Sequence, residues 1–253
     1  ENVVQQPSEL FRDVFDAEMY RIIHLEVSPD MVGFNLIARR RRYTVGINVK
    51  RAELIADPEE MLQFITGHLS NVQTQPKDAL LADLPEILQE VQYVCDLRSM
   101  VLPDYVLQWT SVAQVDLSGF LNRREKESLE GYTLAYLQRF GSMPAHDQNA
   151  FFFLGDSAPS RLTWSCVSNK LPTLRRNGGR CWSPYARRWL TAKELLSAMG
   201  FPCYDSLAQA MGVPTMVFDS TERARTFLGN AMHAGAAGVV ALVCLACVRM
   251  RDA

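Results

Sequence analysis

Tyr20-Arg21-Ile22-Ile23-His24-Leu25-Glu26-Val27 leads through Ser28-Pro29-Asp30 to the run Arg39-Arg40-Arg41-Arg42, which enters Tyr43-Thr44-Val45-Gly46-Ile47. β-Branched residues with partial alternation read as a strand over 20–27, the Ser-Pro-Asp group as a turn, and 42–47 as a second strand. Two strands this close in sequence predict an antiparallel edge pair on a larger sheet. Side chains alternate along extended backbone, so Arg40 and Arg42 are expected on one face.

Outward from the hairpin the pattern turns helical. Asp57-Pro58-Glu59-Glu60 has the form of a helix start: a capping Asp, proline at the first helical position and Glu close behind. Leu129, Tyr132, Tyr136 and Phe140, with Leu137, follow helical spacing. Phe151-Phe152-Phe153-Leu154 reads as a short buried strand. Thr191-Ala192-Lys193-Glu194 is a capping box, with Leu190 and Leu195 placed as its hydrophobic staple. Arg188 is the residue of that stretch for which capping gives no reason. The apolar run Ala234–Val248 covers 15 residues. A bilayer span needs about 20, so the run is expected to be a helix packed on a sheet.

At 253 residues and 48% hydrophobic the chain can bury one large core or two small ones. Its formal charge of −2 hides a segregation. From Arg51 to Asp156 there are 16 acidic and 7 basic residues, whereas Ser157 to Lys193 holds 8 basic and no acidic ones. Trp164, Trp182, Tyr185 and Trp189 are interleaved with that basic segment, a composition suited to nucleic-acid phosphates and bases. Arg175, Arg176, Arg180, Arg187 and Arg188 are accordingly expected to contact DNA. Six cysteines include one Cys244-x-x-Cys247 inside an apolar run, with only four histidines in the chain. This is no zinc pattern, and it reads as a reduced intracellular protein. No segment reads as a signal peptide.

Four stretches occur in a telling order: Glu1-Asn2-Val3; Asn35-Leu36-Ile37-Ala38-Arg39-Arg40-Arg41-Arg42; Arg188-Trp189-Leu190-Thr191-Ala192-Lys193-Glu194 followed by Gly200-Phe201-Pro202; and Gly229-Asn230-Ala231-Met232. Together they resemble the C-terminal half of cytosine-5 DNA methyltransferases, with the Glu-Asn-Val, Gly-x-Pro-Gln-x-Arg-x-Arg, R-x-L-T-x-x-E…G-F-P and Gly-Asn-Ala signatures. Leu171-Pro172-Thr173-Leu174 ahead of Gly178-Gly179 is similar to the end of that family's target recognition domain. Asn35, Ile37 and Ala38 depart from the Gly, Pro and Gln of the second signature, which puts its loop shape in question and leaves both arginines.

The resemblance implies an α/β fold: the C-terminal part of a Rossmann-like methyltransferase sheet with a smaller, partly helical recognition domain. It implies a division into 1–50 (second half of the catalytic domain), 51–185 (target recognition) and 186–253 (the capping-box helix and a C-terminal helix returning to the catalytic domain). Glu1 would donate to N3 of a flipped cytosine and accept from its amine, while Arg40 and Arg42 would hold the base and its flanking phosphate. Asn230, capping the C-terminal helix, and Met232 would line the site of S-adenosyl-L-methionine. Partners would be duplex DNA and an N-terminal half carrying the nucleophilic cysteine and the glycine-rich cofactor loop, with no membrane and no metal. The setting would be nuclear in a eukaryote and cytoplasmic otherwise. Pro202-Cys203 is rejected as the nucleophile because it falls inside the Gly-Phe-Pro signature, far beyond Glu1. A catalytically silent nucleic-acid-binding remnant and an RNA cytosine-5 methyltransferase are the competing readings.

Overall fold

Ile23, Leu25 and Val27 on one strand and Tyr43, Val45 and Ile47 on the next turn the same way, and this shared apolar face organises the first part of the molecule. The computed structural model describes residues 19–34, 36–69, 74–174 and 180–251. Strands β1 (Tyr20–Val27) and β2 (Arg41–Asn48) pair antiparallel as the alternation predicts, from Tyr20 opposite Asn48 to Val27 opposite Arg41. A 3-10 turn at Pro29–Val32 follows β1 and ends on Gly33, whose φ of 84° lies in the left-handed region that glycine enters without strain. Strand β3 (Ala52–Leu54) comes next, then helix α1 (Pro58–Gly67). Asp57 caps α1 as expected, its carboxylate accepting the N–H groups of Glu59 and Glu60 at 2.8 and 3.0 Å.

The middle of the chain is largely helical. Helices α2 (Leu84–Leu97) and α3 (Arg123–Phe140) pack Ile87, Val91, Val94, Tyr132 and Tyr136 into one core. Short strands β4 (Phe152–Phe153), β5 (Cys181–Ser183) and β6 (Arg188–Trp189) form an antiparallel sheet that adds Phe152, Trp182 and Trp189 to it. Tyr132 stacks on Phe152 with ring centroids 5.1 Å apart. Three helices follow: α4 (Ala192–Ala198), α5 (Asp205–Met211) and α6 (Thr221–Asn230). Thr191 caps α4 through the expected reciprocal box with Glu194, and Leu190 and Leu195 are both buried.

Helix α7 (Ala234–Cys247) and strand β7 (Val248–Met250) then return to the hairpin. Ala236, Val239, Val240, Val243 and Cys247, which recur with the period of one helical face, are buried with Leu25, Val27, Tyr43 and Leu62. β7 pairs antiparallel with β3, Ala52 opposite Met250. The described chain thus forms two compact units, one joining the residues up to 69 with those from Met232 onward, the other Thr74–Ala231. The expected boundary at residue 50 falls inside the first unit, since β3 and α1 pack there, and 186–231 belongs to the second. The fold is mixed α/β with small sheets. Every strand pair among the described residues is antiparallel, and the hairpin is a two-stranded sheet in its own right.

The cap of α7 corrects one expectation. Asn230 is the last residue of α6, and His233 starts the next helix, its Nδ1 accepting the N–H of Ala236 at 3.2 Å. That bond fixes a neutral ring with its proton on Nε2. Burial first, and the charge of Arg39 second, lower its pKa to about 4. The unfolded chain takes up this proton near 6.5 and the folded chain near 4, so the stability conferred by neutral His233 is full above pH 6.5 and lost as pH falls through 4. The loss should reach about 3 kcal/mol. His233→Asn keeps a capping acceptor without titrating, and its urea unfolding should change less between pH 7 and 4.5 than that of the wild type.

Candidate nucleic-acid interface

The face of the hairpin opposite the core is polar. Cross-strand register sets Glu26 against Arg42 and His24 against Thr44, and the latter pair share a hydrogen bond between Nδ1 and Oγ1 at 3.1 Å. The Glu26 carboxylate gathers two of the four consecutive arginines: Oε2 accepts from Arg40 Nη2 at 2.7 Å and Oε1 from Arg42 Nη2 at 3.0 Å. The Arg42 hydrogen bond first, with Arg40 adding to it, holds this carboxyl below the usual range against a smaller effect of burial. The Arg40 side chain is 68% exposed and that of Arg42 22%. A concavity of about 460 Å³ opens beside them, walled by His24, Glu26, Met31, Arg42, Glu59 and Gln63. Arg40 and Arg42 therefore converge as the alternation predicts. Glu26 was missed, although a carboxylate in a β-branched strand, one hairpin away from an arginine run, is a signal for it. Glu1, Arg175 and Arg176 lie outside the described residues.

The basic segment is corrected at its most prominent members. Arg188 is buried, both its Nη atoms donating to Glu194 at 2.8 and 2.7 Å. The same carboxylate accepts the N–H groups of Leu81, Ala82 and Thr191, each at 2.8 Å. Five donors satisfy one buried anion, which is the condition for holding a charge away from water. Arg188 is thus withdrawn from any phosphate, and its counter-charge is the residue immediately after the purely basic window. Arg180 is also enclosed, 3.4 Å from Glu125, 4.0 Å from Glu90 and 4.3 Å above the ring of Trp189. Its pKa is lowered to about 10, chiefly by burial. Lys193 pairs with Glu86 at 3.3 Å. Glu86, Glu90 and Glu125 of the acidic stretch are the partners of Lys193 and Arg180, so part of each charge run is neutralised within one unit. Trp164, Trp182 and Trp189 belong to the core, and Tyr185 stays exposed. Arg187 alone of the described candidates in this segment stays at the surface, bonded to Asp116 at 2.9 Å with its side chain 55% exposed.

Of the cofactor candidates, Met232 is 44% exposed just before the cap of α7, and the side chain of Asn230 lies outside the described residues. Cys203 is buried, and its thiol, pushed up to about 11 chiefly by burial, carries no thiolate character at neutral pH. Among the described residues no group of His, Cys, Asp and Glu has the arrangement to hold a metal. No family model matches the chain, and no curated protein is significantly similar to it.

Arg188→Ala strands Glu194 as a lone buried charge and should destabilise the protein by about 3–5 kcal/mol. Arg187→Ala, one residue earlier, should change stability by about 1 kcal/mol at most. Guanidinium unfolding of the two variants checks both, and equal effects would refute the buried pair as described.

Proposed function

We propose that this chain is the C-terminal portion of an S-adenosyl-L-methionine-dependent DNA (cytosine-5-)-methyltransferase, with the hairpin unit contributing the last strands of its Rossmann-like sheet and the middle unit serving target recognition. The observation that carries the reading is the discontinuous first unit. The residues bearing Arg40 and Arg42 co-fold with a helix supplied by the far end of the chain, and the intervening unit stands between them in sequence. A catalytic domain interrupted by a recognition domain has this organisation. The R-x-L-T-x-x-E signature gives secondary support, because Arg188, Thr191 and Glu194 join in one hydrogen-bonded knot.

On this reading Arg42, partly shielded and held by the sheet, donates to the flipped base, and the more exposed Arg40 meets a flanking phosphate. Glu1 acts as the acid at N3, stabilising the charge that develops as the ring loses aromaticity. The bound cofactor supplies the methyl group, and Met232 offers an apolar wall beside it. Arg180 and Arg188, expected at DNA both here and for a silent nucleic-acid-binding remnant, are internally paired and take no part in either.

In the enzyme that joins this chain to the half carrying the nucleophilic cysteine, Glu1→Gln should slow methyl transfer to cytosine by about 10²-fold or more. DNA affinity should change far less, because phosphate contacts dominate it. Arg42→Ala should lower both. Wild-type transfer by Glu1→Gln, followed with labelled methyl groups, would remove the first signature and with it most of the assignment.

A further inference from the structure

We propose that Glu26 is a positioning residue that stands in for a nucleic-acid phosphate: its carboxylate holds Arg40 and Arg42 in place before binding, and Arg40 leaves it for the DNA backbone while Arg42 stays. The inference rests on the methyltransferase reading in taking DNA as the partner.

The geometry divides the two arginines. Each carboxylate oxygen takes one guanidinium nitrogen, so the two pairs are separately breakable. Arg42 lies inside β2 directly opposite Glu26 in the ladder, with its side chain largely covered. Arg40 precedes the strand and is mostly in solvent. An exposed ion pair contributes about 1 kcal/mol at most and is screened by salt, so the Arg40 pair is open to exchange. The non-bridging oxygens of a phosphodiester accept the same charge-assisted bonds from guanidinium as the carboxylate does. Glu26 therefore keeps Arg42 fixed beside the concavity and occupies Arg40 until a phosphate displaces it, and breaking that pair costs binding more than the pre-set position of Arg40 saves in side-chain freedom. It also repels the incoming phosphate, which weakens binding that does not engage Arg40.

The test is fluorescence anisotropy of a labelled DNA duplex with the 253-residue chain across a salt series, with circular dichroism of each variant to verify folding. Glu26→Gln should tighten binding about fivefold at moderate salt, the scale of one surface charge pair. Arg40→Ala should weaken it and flatten the salt slope by about 0.9, the value of one phosphate contact. In the double variant Glu26→Gln/Arg40→Ala the gain should vanish, since the released group is gone. Glu26→Asp keeps the charge and should bind as wild type does; tightening by Glu26→Asp equal to that of Glu26→Gln would refute the charge mechanism. If Arg40→Ala weakens binding but Glu26→Gln does not strengthen it, the inference about Glu26 fails and the DNA-facing hairpin stands. If neither Arg40→Ala nor Arg42→Ala alters binding, the hairpin does not meet DNA and both ideas fall.

Discussion

The buried pair of Arg188 and Glu194 organises the middle unit. One carboxylate accepts from a bidentate guanidinium and three backbone N–H groups, and so ties the strand β6, the first turn of α4 and the segment at Leu81 and Ala82 to one point. Around it Thr191 and Tyr204 both donate to Glu86, which links α4 to the start of α2. Charge-assisted bonds of this kind are strong where water is excluded, and costly when half of the pair is missing. The knot thus specifies one packing of the unit more than it adds net stability.

A second tier of ion pairs repeats the theme. Arg98 grips Glu125 with two bonds near 2.7 and 2.8 Å, and Arg225 reaches Glu90 from α6. Arg180 lies between those carboxylates over Trp189. Arg98 lies within the acidic stretch, Arg180 within the basic one and Arg225 beyond it, so charges from several windows of sequence meet only in the folded state. Net charge over a window of sequence is therefore a statement about surface field only where the charges remain at the surface.

Much of the local structure was legible in the sequence because its causes are local. Asp57 and Thr191 sit where helices begin, the alternation over 20–27 and 42–47 yields the hairpin, and the apolar run after His233 packs as a helix against it. Longer-range facts were not. Glu194 reads as a capping-box member, yet a carboxylate has lone pairs to spare, and the same group neutralises Arg188. Asn230 has the right chemistry for a cap but α6 runs through it, and the helix that needs capping begins three residues later with histidine. The joint hold of Glu26 on two arginines depended on hairpin register, which alternation alone leaves undetermined by a residue or two.

The pairing of Ala52 with Met250 also sets an order of events during synthesis. At roughly 5–20 residues per second, the ribosome needs about 10–40 s between making these two partners. The middle unit has all its own residues about 1–4 s before Met250 is made, so it can fold while the first unit is still open. Through that interval the apolar side of the hairpin has no helix α7 to cover it, so its strand faces are open to chaperones or to mispairing. The vulnerable moment in this protein's life is the wait for helix α7.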